Sequence, residues 1–213
     1  MNIKLIFDNK AFTAKPQSNE VGSIINRMAI NTVNNYSFDD IKKKILQGYT
    51  VRPSVCGGKE ESWQSQQMFM IDIDDGLTIE QAIEICKKKD IIPNFIYTSF
   101  SYTEEHHKFR LIFILDKEIN EFNIAKKIQL YLMDAIGEAD EKCKNLNRIY
   151  YAGKNIVFDS GNILDANKII ELSKDIIINN LPKPSNSKGL EKCPHNNNNI
   201  YNNTYIIVGT KTP

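Results

Sequence analysis

The chain lacks any apolar run approaching the roughly 20 residues that span a bilayer, which excludes a long membrane-spanning helix, and no membrane partner is expected. Its opening residues, MNIKLIFDNK, carry charge too early and have no small-residue cleavage site, so they do not read as a secretion signal. A cytoplasmic location is the expectation. Cysteine is sparse and scattered: Cys56, Cys86, Cys143 and Cys193 form neither a disulfide framework nor a paired zinc site. Cys193-Pro194-His195 offers two metal ligands, but no second pair is spaced to complete a site. Charge of one sign is not in excess either, with 27 Lys+Arg against 26 Asp+Glu. A near-neutral total leaves a nucleic-acid partner open, because a local basic groove fits inside a balanced sum. No internal repeat is evident.

What is present suits a globular fold. The 213 residues are 41% hydrophobic and 25% charged, enough for one sizeable domain plus an appendage. Residues 3–7 read as an opening strand. Ser37 is placed to cap a helix that has Asp39 and Asp40 in its first turn and Gly48 at its end. Residues 52–66, with Pro53, Gly57 and Gly58, read as a loop or open hairpin. Thr78 and Gln81 form a capping box ahead of an apolar stripe of Ile79, Ala82, Ile83 and Cys86. Strands follow at 95–99 and 108–115, and a helix at about 121–136. A short strand is expected over 148–153, a hairpin joining 156–158 to 162–164, and a last helix over about 165–178. From Leu181 the composition turns to proline, serine and asparagine, so 1–180 reads as the folded domain and 181–213 as a linker or tail. Tyr205–Gly209 breaks that polarity, as a strand that docks back or opens a further domain.

The most informative stretch is Met68-Phe69-Met70-Ile71-Asp72-Ile73-Asp74-Asp75-Gly76. Side chains alternate along a strand, so Asp72 and Asp74 share one face while Phe69, Ile71 and Ile73 share the other. Two carboxylates side by side repel unless a cation lies between them, and hard oxygen donors suit Mg²⁺ or Mn²⁺. The plainer reading is a solvated acidic strand end. A second cluster surrounds the strongest strand, where Lys108 and Arg110 share a face opposite Phe109, Leu111 and Phe113. Two cations there suit a polyphosphate, and arginine adds a planar fork. A solvated cationic face is the alternative, and the preceding His106-His107 pair reads more simply as surface. A third cluster places Asp140 ahead of a polar turn and of Arg148 and Tyr150.

In their order, FMIDIDD, YTSFSYTEEHHKFRLIFILD and DEKCKNLNRIYYAG resemble the three motifs of the archaeo-eukaryotic primase superfamily, as found in primase-polymerase domains of plasmid, phage and integrated-element replication proteins. The resemblance spans roughly 50–165. It implies an α/β fold in which an RRM-like antiparallel sheet, flanked by helices, carries the acids beside a smaller N-terminal α/β portion. It further implies a DNA primase or primase-polymerase, a nucleotidyltransferase acting in DNA replication. Asp72, Asp74 and Asp140 would be its catalytic, metal-binding acids for two Mg²⁺ or Mn²⁺ ions, and Arg148 a downstream basic residue. Single-stranded DNA template and nucleoside triphosphates are the implied partners. No G-x-x-x-x-G-K-[S/T] occurs, so a replicative helicase would be a separate domain or protein.

The family's second motif is commonly Ser-x-His, with the histidine on the incoming nucleotide. Here Lys108-Phe109-Arg110 falls at that place, so Arg110 stands where the histidine would, and His107 is the other candidate. Two other functions compete. A rolling-circle endonuclease needs a His-hydrophobic-His pair, which His106-His107 lacks. A nucleic-acid-binding module with a degenerate site is opposed by the intact acids. Asp72→Asn is expected to leave folding nearly unchanged, because it relieves like-charge repulsion.

Overall fold

A nine-residue strand with every residue buried, β5 (Ser65–Ile73), organises the chain. It belongs to a five-stranded, fully antiparallel sheet of order β4-β5-β7-β6-β8, with β4 Ser54–Val55, β6 Phe95–Ser99, β7 Phe109–Ile119 and β8 Gly153–Asp159. The structure, a computed structural model, describes residues 1–28 and 32–178. The expected tail, its Tyr205–Gly209 strand and Cys193-Pro194-His195 lie outside the described residues.

Alternation gives the large sheet two apolar faces and hence two cores. Phe69, Ile71, Ile73, Phe109, Leu111 and Phe113 pack beneath helices α3 (Ile79–Lys89), α4 (Phe122–Ile136) and α5 (Ala166–Leu172). Met68, Met70, Ile112, Ile114, Phe95 and Tyr97 face the opposite way. They meet Ile3, Leu5 and Phe7 of β1 (Ile3–Ala11) and Ile41 and Ile45 of α2 (Phe38–Leu46). A smaller sheet of order β2-β1-β3 is built from β1, β2 (Asn34–Tyr36) and β3 (Tyr49–Arg52). Its other face, through Ile6, packs on Ile24 and Met28 at α1 (Val21–Arg27). Pro53 lies between β3 of the small sheet and β4 of the large one, where a residue without an N–H leaves no ladder bond unmade. The expected fold class is the observed one: α/β, an antiparallel sheet flanked by helices, with a smaller N-terminal α/β portion.

Helix signals translate directly. Ser37 Oγ accepts from Asp40 N at 3.2 Å, and Thr78 with Gln81 forms the capping box. Three expectations need correction. Residues 148–153 do not form a strand: Tyr150 makes an isolated bridge with Val51, and β8 begins at Gly153. The hairpin over 156–164 is absent. Ser160 Oγ donates to Pro93 O at 2.7 Å and Asn162 Nδ2 to Ile92 O at 2.8 Å, which turns the chain away so that Leu164 bridges Leu115 instead. The last helix stops at Leu172, where Ser173 Oγ donates to Ile170 O at 3.0 Å.

One edge of β5 is bonded to β7, but β4 covers only Ser65 and Gln66 of the other. Beyond that, side chains and loop backbone do the work of a strand. Gln66 Nε2 donates to Met68 O at 2.9 Å, and Met70 O accepts from Gln129 Nε2 at 3.1 Å and Tyr150 Oη at 2.9 Å. Asp140 N donates to Asp72 O at 2.9 Å, and Asp72 N donates to Cys143 Sγ at 3.3 Å. Tyr150→Phe removes one of two donors to a buried carbonyl, so urea denaturation is expected to show a loss of about 1 kcal/mol.

Candidate active site

The same edge bonds bring distant acids together. Asp72 sits near the end of β5, Asp74 just beyond it, and Asp140 behind α4, where Gly137 (φ 91°) ends the helix. Asp140 Oδ1 accepts from Lys142 N at 3.0 Å, which caps the 3₁₀ turn Glu141–Lys144 and fixes the carboxylate. One oxygen from each of Asp72, Asp74 and Asp140 lies within 4.8 Å of the others. These are hard donors at a spacing that a divalent ion can bridge, so the residues present fit Mg²⁺ or Mn²⁺.

Cations stand among them. Arg110 is the direct cross-strand partner of Asp72, and its Nε lies 2.9 Å from Asp72 Oδ1 although that N–H has no aligned acceptor. Its Nη1 donates to Tyr151 O at 2.7 Å, and its guanidinium lies 5.5 Å from the Tyr97 ring centre. Arg148 Nη2 reaches two acids at once, 2.7 Å from Asp72 Oδ2 and 2.8 Å from Asp140 Oδ2. A positive group therefore already spans two of the carboxylates. Lys108 Nζ is 3.8 Å from Asp74 Oδ1. These residues border a cleft of about 500 Å³, apart from Lys108, which lines a smaller hollow with Asp74 and Arg110. His107 is not brought to the acids: its Nδ1 accepts from Ile79 N at 3.2 Å at the start of α3, and it packs edge-on against Tyr102.

Electrostatics follow from burial and pairing. Burial pushes the Asp140 carboxyl upward, but the Lys142 amide and Arg148 outweigh it and hold the group below its ordinary value. Burial alone would lower the Arg110 pKa, yet Tyr97 and Asp72 raise it. Tyr97, wholly buried, is pushed up to about 12 by burial, against Arg110.

Sequence reasoning passed over Arg52, Lys15, Lys142 and Asn147, which line the same cleft. A signal for Arg52 existed: arginine supplies only four of the chain's 27 basic residues, at 27, 52, 110 and 148.

No family model matches the sequence, and none of the curated proteins matches it. Two solved structures are similar. One is the AEP domain of the cyanophage S-2L primase-polymerase, with a TM-score of 0.48 and 11% identity over 80% of this chain and 87% of that one. The other is the primase RepB′, with a TM-score of 0.43 and 11% identity over 81% of this chain and 57% of that one.

The pairing corrects one expectation. Asp72 is 4% exposed and answers both Arg110 and Arg148, so it is a counter-ion as well as a neighbour of like charge. Asp72→Asn is therefore expected to destabilise the chain by about 3 kcal/mol, because the buried Arg110 and the partly buried Arg148 lose their shared partner. Asp74, whose side chain is 58% exposed, should tolerate Asn within about 0.5 kcal/mol. Chemical denaturation of both variants checks this, and equal losses would refute it.

Proposed function

We propose that this chain is a DNA-dependent nucleotidyltransferase, a primase or primase-polymerase that makes or extends primers in the replication of a plasmid or other mobile element. The observation that carries the reading is the meeting of Asp72, Asp74 and Asp140, from separate parts of the chain, beside Arg110 and Arg148 in one cleft. Those same acids and arginines lie in the three stretches that resemble the superfamily's motifs. Nucleotidyl transfer needs anionic ligands for divalent ions next to cations for a triphosphate, and little else from the protein.

Asp72, Asp74 and Asp140 would hold Mg²⁺ or Mn²⁺, which when bound lowers the pKa of the attacking hydroxyl and offsets charge on the leaving pyrophosphate. Asp72 is fixed by its strand and by Arg110, so it presents a preset oxygen. Asp74, at the open end, is free to adjust. Arg148 offsets the mutual repulsion of Asp72 and Asp140 and would present its guanidinium to the triphosphate. Arg110 presents its fork from the floor of the sheet. Lys108 adds a point charge at the Asp74 end. The template strand lies along the cleft.

Incubation with a primed template, labelled nucleotide and Mn²⁺ tests the activity. Asp74→Asn, which keeps the fold, is expected to abolish incorporation, and retained activity refutes the assignment. Arg148→Gln should bind Mn²⁺ more tightly, as read by electron paramagnetic resonance, while binding nucleotide more weakly. An unchanged ion affinity would mean that Arg148 does not compete for the acids.

Arg110→Ala is expected to weaken nucleotide affinity by about tenfold, with Arg110→Lys restoring only part, since a point charge lacks the fork. Its melting temperature should fall too, because Asp72 loses a partner. His107→Ala should alter stability at the α3 terminus and leave nucleotide affinity unchanged. Loss of affinity in that variant alone would transfer the role to His107.

A further inference from the structure

Three of the chain's four arginines line one cleft, and every lysine but Lys126 is on or near the surface or lies outside the described residues. Arg27 forms a two-pronged pair with Asp8, at 2.6 Å for both contacts. Arg110 and Arg148 face acids. Arg52 is different.

Arg52 is 1% exposed, and among the described residues no carboxylate lies within ion-pair distance of it. Its Nε donates to Asn147 O at 3.1 Å, and its Nη1 to Met28 O at 2.6 Å and Cys56 O at 3.0 Å. Three carbonyl oxygens orient the guanidinium without neutralising it. Its Nη2 makes no hydrogen bond to a described residue, and Arg52 lines the cleft. A buried cation left without a counter-charge is costly, and a fold that braces one at a cleft wall is organised to receive an anion. Burial also pulls the guanidinium's pKa down from its ordinary value, against Cys56, as expected for a charge awaiting a partner.

The surroundings narrow the ligand. Lys15 and Lys142 border the same cleft, which gives it further positive charge. Val21 and Ile25 of α1 add an apolar flank that a bare inorganic anion would not use. A phosphate attached to a sugar and base satisfies both. Arg52 is braced by α1, the Cys56 loop and Asn147, whereas Arg110 and Arg148 act from the acid cluster.

We propose that Arg52 is a preformed seat for a nucleotide-borne phosphate, separate from the contacts of Arg110 and Arg148, and that it takes a phosphodiester of the bound single strand. The inference rests on the nucleic-acid reading above, but not on its chemistry. An incoming nucleotide carries the same group, so the test treats both sources.

Arg52→Met keeps an unbranched stem and removes the charge and the fork. With the full chain and no metal, affinity for a labelled single-stranded oligonucleotide is measured by anisotropy across salt concentrations, and affinity for a nucleoside triphosphate by calorimetry. A folded variant should bind the oligonucleotide about tenfold more weakly. The slope of log affinity against log salt should shrink by about 0.7, the share of one phosphate contact. A loss confined to the triphosphate would keep the seat and overturn its assignment to the strand. Unchanged affinity and slope for both ligands would overturn the seat itself. If Arg52→Met does not fold, the wild-type chain decides. With only four arginines, ¹⁵N-arginine spectra resolve Arg52, and signals unmoved by either ligand refute the proposal. Strand binding through Arg52 without nucleotide incorporation would sink the catalytic reading and leave this one standing.

Discussion

The uncovered edge of β5 is the constraint on which the rest depends. A central strand must satisfy its backbone on both sides, and among the described residues no strand lies beyond Gln66 to do it. Residues from α4 and from the stretch 140–150 supply the missing partners, through Gln129, Asp140, Cys143 and Tyr150. Asp140 reaches the acids because its own amide belongs to that repair. Arg148 is delivered by the same docking. The site is thus a by-product of completing a sheet edge, which ties its geometry to the most buried part of the fold.

The N-terminal portion contributes more than bulk. Ser54 Oγ donates to Leu146 O at 2.6 Å, Glu60 Oε1 accepts from Leu146 N at 2.8 Å, and Arg52 grips Asn147 O. These bonds flank Arg148 on its N-terminal side, and the Val51–Tyr150 bridge holds it on the other. Glu60 is itself held by Lys126 Nζ at 2.8 Å, which links the loop between β4 and β5, α4 and the arginine stretch. Asp72 sits on the large sheet, while Val51 and Arg52 brace the arginine stretch from β3 of the small one.

Much of this was legible because it follows from local rules. Alternation placed Asp72 opposite Phe69 and Ile71, and the capping residues of α2 and α3 announced themselves. Motif order brought Asp140 and Arg148 into view before any geometry. What failed depends on distant partners. The stretch 148–153 has strand-like residues, but Tyr150 bridges Val51, about a hundred positions away, and Tyr151 O accepts from the side chains of Arg110 and Tyr97. The 156–164 hairpin lost to side-chain bonds with 92–94. The stability role of Asp72 was hidden because two arginines distant in sequence share it. Arg52 carried no motif at all, since its partners are backbone carbonyls that any residue provides.

Synthesis runs in one direction, and the repair of β5 comes late. Met70 emerges from the ribosome 80 residues before Tyr150, whose hydroxyl it needs. At about 5–20 residues per second, that interval lasts roughly 4–16 s. During it the nascent chain presents the apolar run Met68–Ile71 with a bare edge, the kind of segment that other strands pair with. A chain cut short before Gln129 lacks all four of those later partners and keeps that edge permanently. Truncation there would yield aggregates rather than a smaller folded piece.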